Sequence, residues 1–82
     1  MTHTIGIAQT HLTDREIAIL VAVAQGCTNA QIAKQLGTAT PTVQSHLKRI
    51  KVRLNARNRA HAVALGIAKG YIKAIPKAAG VR

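Results

Sequence analysis

The chain contains very few acidic residues, and this is the most informative shortage in its composition. Of its 82 residues, 12 are Lys or Arg and only two, Asp14 and Glu16, are acidic, so the formal net charge is +10. Like charges repel one another within a compact domain, so an excess of positive charge is most naturally explained by a polyanionic partner. Two acids and scattered histidines cannot supply paired carboxylates or a nucleophile–base pair, so we predict that the chain is not an enzyme.

Aromatic residues, cysteines and long apolar runs are also scarce. Tyr71 is the only aromatic residue and Cys27 the only cysteine, while 48% of the chain is apolar. This composition is typical of a small helical bundle with aliphatic side chains. A lone cysteine excludes an intrachain disulfide and suits a reducing compartment, so we expect Cys27 to lie in the core. The apolar runs 17–24 and 62–68 are too short to span a bilayer and no secretory signal is visible, which predicts a cytoplasmic protein without membrane contact.

Hydrophobic periodicity and helix-capping signals predict an all-α fold, a four-helix bundle that includes a helix-turn-helix. The predicted helices cover residues 13–25, 29–36, 40–55 and 59–69. Capping boxes open the first two, formed by Thr13 with Glu16 and by Thr28 with Gln31, and Asn58 is expected to cap the fourth. We divide the chain into an N-terminal arm (1–11), the helical domain (12–70) and a mostly flexible basic tail (71–82).

The third predicted helix carries the strongest functional pattern. Its apolar residues form one seam, which consists of Val43, Leu47, Ile50 and Leu54. The opposite face bears amide, hydroxyl and cationic groups without an acid. Pro41 suits the first turn, and Thr38 or Thr40 is expected to cap it. Such a helix fits a groove lined with phosphates and base edges, although an ordinary solvated helix face has a similar pattern.

The connection between the second and third predicted helices has the spacing of a helix-turn-helix. Only Gly37–Ala39 separates the two, so they must cross at a steep angle. A bare helical hairpin would have the same spacing. Six of the twelve cations, however, lie between Lys48 and Arg59, and this density favours a nucleic-acid partner.

A set of residues in unbroken register adds a more specific signal: Leu12-Thr13, Arg15-Glu16, Gly26, Asn29, Ile32-Ala33, Leu36-Gly37, Thr42-Val43, His46, Leu54, Arg57-Asn58-Arg59 and Ala62-Val63-Ala64. With these residues the chain resembles the LuxR-type (GerE-like) helix-turn-helix family of bacterial transcription regulators over about residues 12–69. The resemblance implies a four-helix domain whose third helix enters the DNA major groove, usually as a dimer joined through the fourth helix.

The resemblance also implies which residues contact DNA. The base-reading positions correspond to Gln44, Ser45 and Lys48. Of these, a lysine favours guanine acceptors and a glutamine can pair with adenine. The positions that contact the DNA backbone correspond to Asn29, Thr42, Arg49, Arg57 and Arg59. The dimer interface is expected at Ala62, Val63 and Gly66. Neither a cofactor nor a metal is implied.

Individual residues carry further expectations. His46 is expected to pack against the domain and to donate to a phosphate or a carbonyl, since no second ligand stands at metal spacing. Glu16 is expected to pair with an arginine of the 57–59 turn. Ile17 and Val21 occupy a face that the family keeps polar, which predicts an additional docking surface. The turn reads Gly37-Thr38-Ala39 where the family has Gly-Ile-Ser, and this change weakens an apolar plug and a cap.

We therefore interpret the chain as a stand-alone, sequence-specific transcriptional regulator that binds duplex DNA as a homodimer in the bacterial nucleoid. Two alternatives stay open. The first is a non-specific DNA-coating protein. The second is an interaction module that engages polymerase or another regulator through exposed apolar faces of the first and fourth helices. A membrane-active peptide is disfavoured, because the apolar residues are arranged for a folded core.

Overall fold

The computed structural model describes residues 11–73, and within them the chain forms four helices and no strand. The helices are α1 (Asp14–Ala24), α2 (Asn29–Leu36), α3 (Thr40–Leu54) and α4 (Arg59–Ala68). The predicted all-α fold is confirmed, with bounds that differ by about one residue. None of the helices in residues 11–73 is long and apolar enough to cross a membrane. The predicted arm, apart from His11, lies outside the described residues.

Side-chain caps begin three of the four helices where the sequence predicts them. The Thr13 hydroxyl accepts from the Glu16 N–H at 3.1 Å, and the Glu16 carboxylate accepts from the Thr13 N–H at 2.9 Å. Thr28 and Gln31 form the same reciprocal pair at the start of α2. The Asn58 side chain accepts from the His61 N–H at 2.8 Å and begins α4. These bonds satisfy amide groups that otherwise lack partners at a helix start.

The start of α3 differs from the prediction. Its N-cap is Ala39, which has no side-chain acceptor, and Thr40 already lies inside the helix. The Thr38 N–H bonds to the Ala33 carbonyl at 2.9 Å, beyond Gly37 with a φ of 67°. Thr38 therefore belongs to the end of α2, so the prediction that Thr38 or Thr40 caps α3 is wrong. Pro41 occupies the first turn as predicted.

The apolar seam of α3 is the centre of the core. All of its predicted members are buried: Val43, Leu47, Ile50 and Leu54. Helix α3 contacts each of the other three helices. They contribute further buried aliphatic side chains, among them Ile19 and Leu20 from α1, Ile32 and Ala33 from α2, and Ala62 from α4. With one face buried in this way, the opposite face of α3 is left in solvent.

The buried side chain of Glu16 extends from α1 to α3. Its side chain is only 2% exposed and forms an ion pair with Arg53, in the last turn of α3. The predicted partner in the 57–59 turn is wrong. Arg57 is exposed, and Arg59 points toward the start of α2 instead. The crossing of α1 and α3, which sequence spacing does not encode, determines this pairing.

The helical domain continues beyond the predicted boundary at residue 70. Ile72 is 5% exposed and Tyr71 packs against the core. The N–H groups of both residues bond to the Gly66 carbonyl, so the chain folds back after α4. The Tyr71 hydroxyl lies 3.4 Å from the Leu12 N–H and links the two ends of the domain. The prediction of a flexible tail is therefore corrected for residues 71 and 72, and residues 74–82 of that tail lie outside the described part.

Two expectations concern α1 and the loop just after it. Ile17 and Val21 are half-buried and pack against the core, so each side chain stays partly accessible. The docking surface expected there stays a prediction. Cys27 is half-buried just after α1 and packs against the same cluster. The Gln35 amide approaches its sulfur at 3.8 Å. Cys27 therefore packs at the edge of the core.

Candidate nucleic-acid interface

The solvent face of α3 carries all three predicted base-reading residues. Gln44, Ser45 and Lys48 are exposed, as are Thr42 and Arg49. They are exposed because the apolar seam holds the other side of the helix in the core. A helix with its side chains is about 10–12 Å across and the DNA major groove is about 12 Å wide, so this face has suitable dimensions for the groove.

A second cluster lies where the starts of α2 and α4 meet α3. A shallow notch there is lined by Asn29, Gln44, Leu47, Lys51 and Arg59. Two predicted backbone-contacting residues and one predicted base-reading residue therefore come together. Lys51, which is half-buried, joins them. The notch lies beside the solvent face of α3.

Arg59 fixes the geometry of this notch. Its guanidinium donates to the Asn29 side-chain oxygen at 2.7 Å and to the Cys27 carbonyl at 3.0 Å. These bonds tie the first residue of α4 to the first turn of α2. They use only part of the planar guanidinium, whose other N–H groups remain able to donate. Arg59 and Asn29 thus form one hydrogen-bonded unit, and we expect a mutation of either residue to release the other.

The end of α3 places Arg57 beside the lysines of that helix. Asn55 ends α3 in the left-handed conformation, with a φ of 59°. The chain then turns so that Arg57 lines a shallow depression with Lys48, Lys51 and Val52. The Arg57 N–H donates to His61 Nδ1 at 3.0 Å, which holds the turn. The exposed guanidinium of Arg57 extends the cationic surface past the helix end.

The charge balance around α3 is strongly positive. In residues 11–73 the only ion pair joins Glu16 and Arg53, and Asp14 is exposed in the first turn of α1. Within that part of the chain, no acid neutralises the cations on and beside the solvent face of α3, which are Lys48, Arg49, Lys51 and Arg57. Like charges held this close attract a polyanion, and the attraction weakens as salt rises.

His46 packs at the edge of the core, as expected. It is half-buried, and its Nδ1 atom is buried without a hydrogen-bond partner among residues 11–73. That nitrogen therefore does not donate to a carbonyl in the described part, and donation from the ring to a phosphate stays a prediction. The same residues contain no group of three or more His, Cys, Asp or Glu side chains that could hold a metal ion.

The three residues predicted at the dimer interface differ in their exposure. Ala62 is 1% exposed and Gly66 is buried, so both face the core of their own chain. A Cβ atom added to Gly66 would lie 2.7 Å from Leu20 Cδ2 and 2.9 Å from Ile72 Cδ1. The close approach that the small residues indicated is therefore made within the chain, and their assignment to a dimer interface is corrected. Only Val63, which is half-buried, retains a partly accessible side chain.

One exposed residue of α3 was not singled out by the sequence reasoning. Val52 is 76% exposed, and it lines a shallow groove with Ser45, Lys48, Arg49 and Arg53. It follows Val43 by nine residues, which at about 100° per residue places it opposite the buried seam. The helical arithmetic that identified the seam was sufficient to find it.

A compact helix-turn-helix whose exposed helix carries cations without acidic partners is typical of DNA-binding domains. Residues 10–65 match the model of the family described as bacterial regulatory proteins, luxR family. The chain belongs to this family, whose members are DNA-binding regulators and not enzymes. The resemblance found in the sequence is confirmed.

Several curated relatives match this segment of the chain. It is 48% identical over 56 residues to the probable transcriptional regulatory protein SgaR of Hyphomicrobium methylovorum, covering 68% of this chain and 26% of the relative. It is 38% identical over 64 residues to the transcriptional regulatory protein YdfI of Bacillus subtilis, covering 78% and 30%. For the nitrate/nitrite response regulator protein NarP of Escherichia coli, identity is 41% over 54 residues, covering 66% and 25%. The chain thus spans only about a quarter to a third of these relatives. No solved structure matches it significantly.

Proposed function

We propose that the chain regulates transcription by binding duplex DNA at specific sequences, with α3 in the major groove. The observation that carries this proposal is the exposure of Gln44, Ser45 and Lys48 on one face of α3, beside cations without an ion-pair partner in residues 11–73. Amide, hydroxyl and ammonium groups on a rigid helix can read base edges. The relatives are named as transcriptional or response regulators, which agrees with this role. The chain would act at the bacterial nucleoid.

Phosphate contacts flank the base-reading face in this proposal. Thr42, Arg49 and Arg57 are exposed around α3, and Arg59 with Asn29 forms the unit at the notch. These groups would fix the register of α3 on the duplex without reading sequence. Each neutralised phosphate adds to the salt dependence of binding.

We propose a homodimer that associates through the outer face of α4. Ile67 is 38% exposed there, and Ala64 and Ala68 are exposed beside the half-buried Val63. This apolar strip replaces the interface first predicted at Ala62 and Gly66. Two copies joined in this way would read two half-sites related by symmetry. The same strip is where a protein partner, such as polymerase or another regulator, would bind if the chain acts as an interaction module.

The deciding experiment is selection of random duplex DNA on the purified chain at physiological salt, where non-specific binding is weak. We expect an enriched motif with two inverted half-sites. Binding that fades with salt and enriches no motif would instead support a non-specific DNA-coating protein, the alternative favoured by the net charge of +10.

Single substitutions separate base contacts from phosphate contacts. Lys48→Ala is expected to weaken binding to the selected site by about 1–3 kcal/mol and to relax the preference at one base pair. Arg57→Ala, the matched control, is expected to weaken binding to all sequences similarly and to lower the salt slope by about one. If Lys48→Ala weakens specific and random DNA equally, Lys48 only neutralises phosphate.

A further inference from the structure

Val52 is the most exposed large apolar side chain of residues 11–73, at 76%, whereas Ile67 on α4 is 38% exposed. A single exposed aliphatic residue is common on protein surfaces and by itself indicates nothing. The location of Val52 is what matters. It stands on the solvent face of α3, in a groove shared with Ser45, Lys48 and Arg49. The other residues of that groove are polar or cationic. Val52 is therefore the one aliphatic side chain that the groove offers to an apolar group of a ligand.

The helical register places Val52 on the same face of α3 as two of the proposed base-reading residues, Ser45 and Lys48. It follows Ser45 by seven residues, which corresponds to about two turns and about 10 Å along the helix axis. It follows Lys48 by four residues, so the two side chains are neighbours on the surface. Base pairs stack about 3.4 Å apart, so a helix lying along the groove would bring Val52 to a base about three steps from the one that Ser45 reaches.

The major groove offers one apolar group on its base edges, the C5-methyl group of thymine. Methylated cytosine presents a methyl group at the same ring position. We propose that Val52 is a specificity-determining residue that packs on a C5-methyl group in the major groove, with thymine as the natural source. This inference rests on the proposed function, because it requires α3 to lie in the groove of a selected site.

The test uses the full chain and a site obtained by the selection experiment. Each thymine of one half-site is replaced in turn by deoxyuridine, which lacks only the methyl group. Loss of one buried methyl corresponds to about a three- to fivefold weaker affinity. We expect this loss at a single position for the unmodified chain. With Val52→Ala, thymine and deoxyuridine at that position should bind equally well.

Two comparisons make the result specific to Val52. Ile67→Ala removes a comparable side chain from α4, and it should leave the thymine-to-deoxyuridine ratio unchanged whatever it does to overall affinity. Alanine favours helix at least as well as valine, so Val52→Ala should keep the fold, which circular dichroism can verify. A probe with cytosine or 5-methylcytosine at the sensitive position identifies the source of the methyl group. Tighter binding of the methylated probe, lost with Val52→Ala, would show that either base can supply it.

The outcomes also separate this inference from the proposed function. If selection enriches a motif but no deoxyuridine position weakens binding, or if Val52→Ala retains the weakening, the role of Val52 is overturned while sequence-specific binding stands. If selection enriches no motif, both proposals are overturned together. A sensitive position that becomes insensitive with Val52→Ala, but not with Ile67→Ala, supports the inference.

Discussion

Glu16 and Arg53 form one ion pair, but replacing one residue should lower stability more than replacing the other. Glu16 is 2% exposed, whereas the Arg53 side chain is 31% exposed. Arg53→Met leaves the Glu16 carboxylate buried with the Thr13 N–H as its remaining hydrogen-bond partner. Glu16→Gln instead leaves Arg53 free to turn into water, and the new amide oxygen can still accept from Thr13. We therefore expect Arg53→Met to be the more damaging change.

The magnitudes follow from this asymmetry. Removal of one partner from a fully buried ion pair costs about 3–5 kcal/mol. Because water reaches the Arg53 side of this pair, we expect Arg53→Met to lower the free energy of unfolding by about 2–3 kcal/mol. Glu16→Gln should cost about 1 kcal/mol, the value of an ordinary hydrogen bond. The double variant should cost little more than Glu16→Gln alone, since no buried charge remains unpaired.

Urea unfolding followed by circular dichroism measures these differences directly. For a domain of this size, a loss of 2–3 kcal/mol also corresponds to a fall in melting temperature of roughly 10–20 °C. Arg49→Met makes the same chemical change on an exposed position of α3 and should stay within about 0.5 kcal/mol of the unmodified chain. The reasoning is refuted if Arg53→Met behaves like Arg49→Met, or if Glu16→Gln is the more destabilising of the two.

Three further changes should alter stability in known directions. Gly66→Ala should destabilise the domain by about 1–3 kcal/mol, because the new Cβ would meet Leu20 and Ile72 at under 3 Å; Ile72→Val in the same chain should recover part of this loss in thermal unfolding. Ala39→Ser should raise the free energy of unfolding by about 0.5–1 kcal/mol, since α3 lacks a side-chain cap, and an unchanged urea midpoint would contradict this. Asn58→Ala should cost about 1 kcal/mol through loss of the cap on α4, whereas Asn58→Asp should retain most of the stability.

Local features of the fold could be predicted because their signals are contained within a few residues. A capping box needs only a hydroxyl and a carboxylate or amide three residues apart, as in Thr13 with Glu16. The α3 seam needs only the helical period. For the same reason, the exposed positions of Gln44, Ser45 and Lys48 followed from the seam itself.

The wrong predictions share a different physical origin. Small residues at helical spacing indicate that something packs closely against Ala62 and Gly66, but not whether it comes from the same chain. The partner of Glu16 depends on where α1 crosses α3, which no local pattern encodes. Ile72 has no periodic neighbours, because the chain turns back immediately after Gly70. In each case the missing information was the relative placement of distant segments.

The orientation of α3 is the property on which the proposed interface depends, and independent contacts hold it along its length. The buried seam fixes which face points outward. The Glu16–Arg53 pair ties the last turn of α3 to the first turn of α1. The Arg59–Asn29 unit joins the starts of α4 and α2 beside the middle of α3. Because the only buried acid serves this framework, no carboxylate in residues 11–73 pairs with the cations on the outward face. The scarcity of acidic residues in the sequence is therefore also what leaves that face available to an anionic partner.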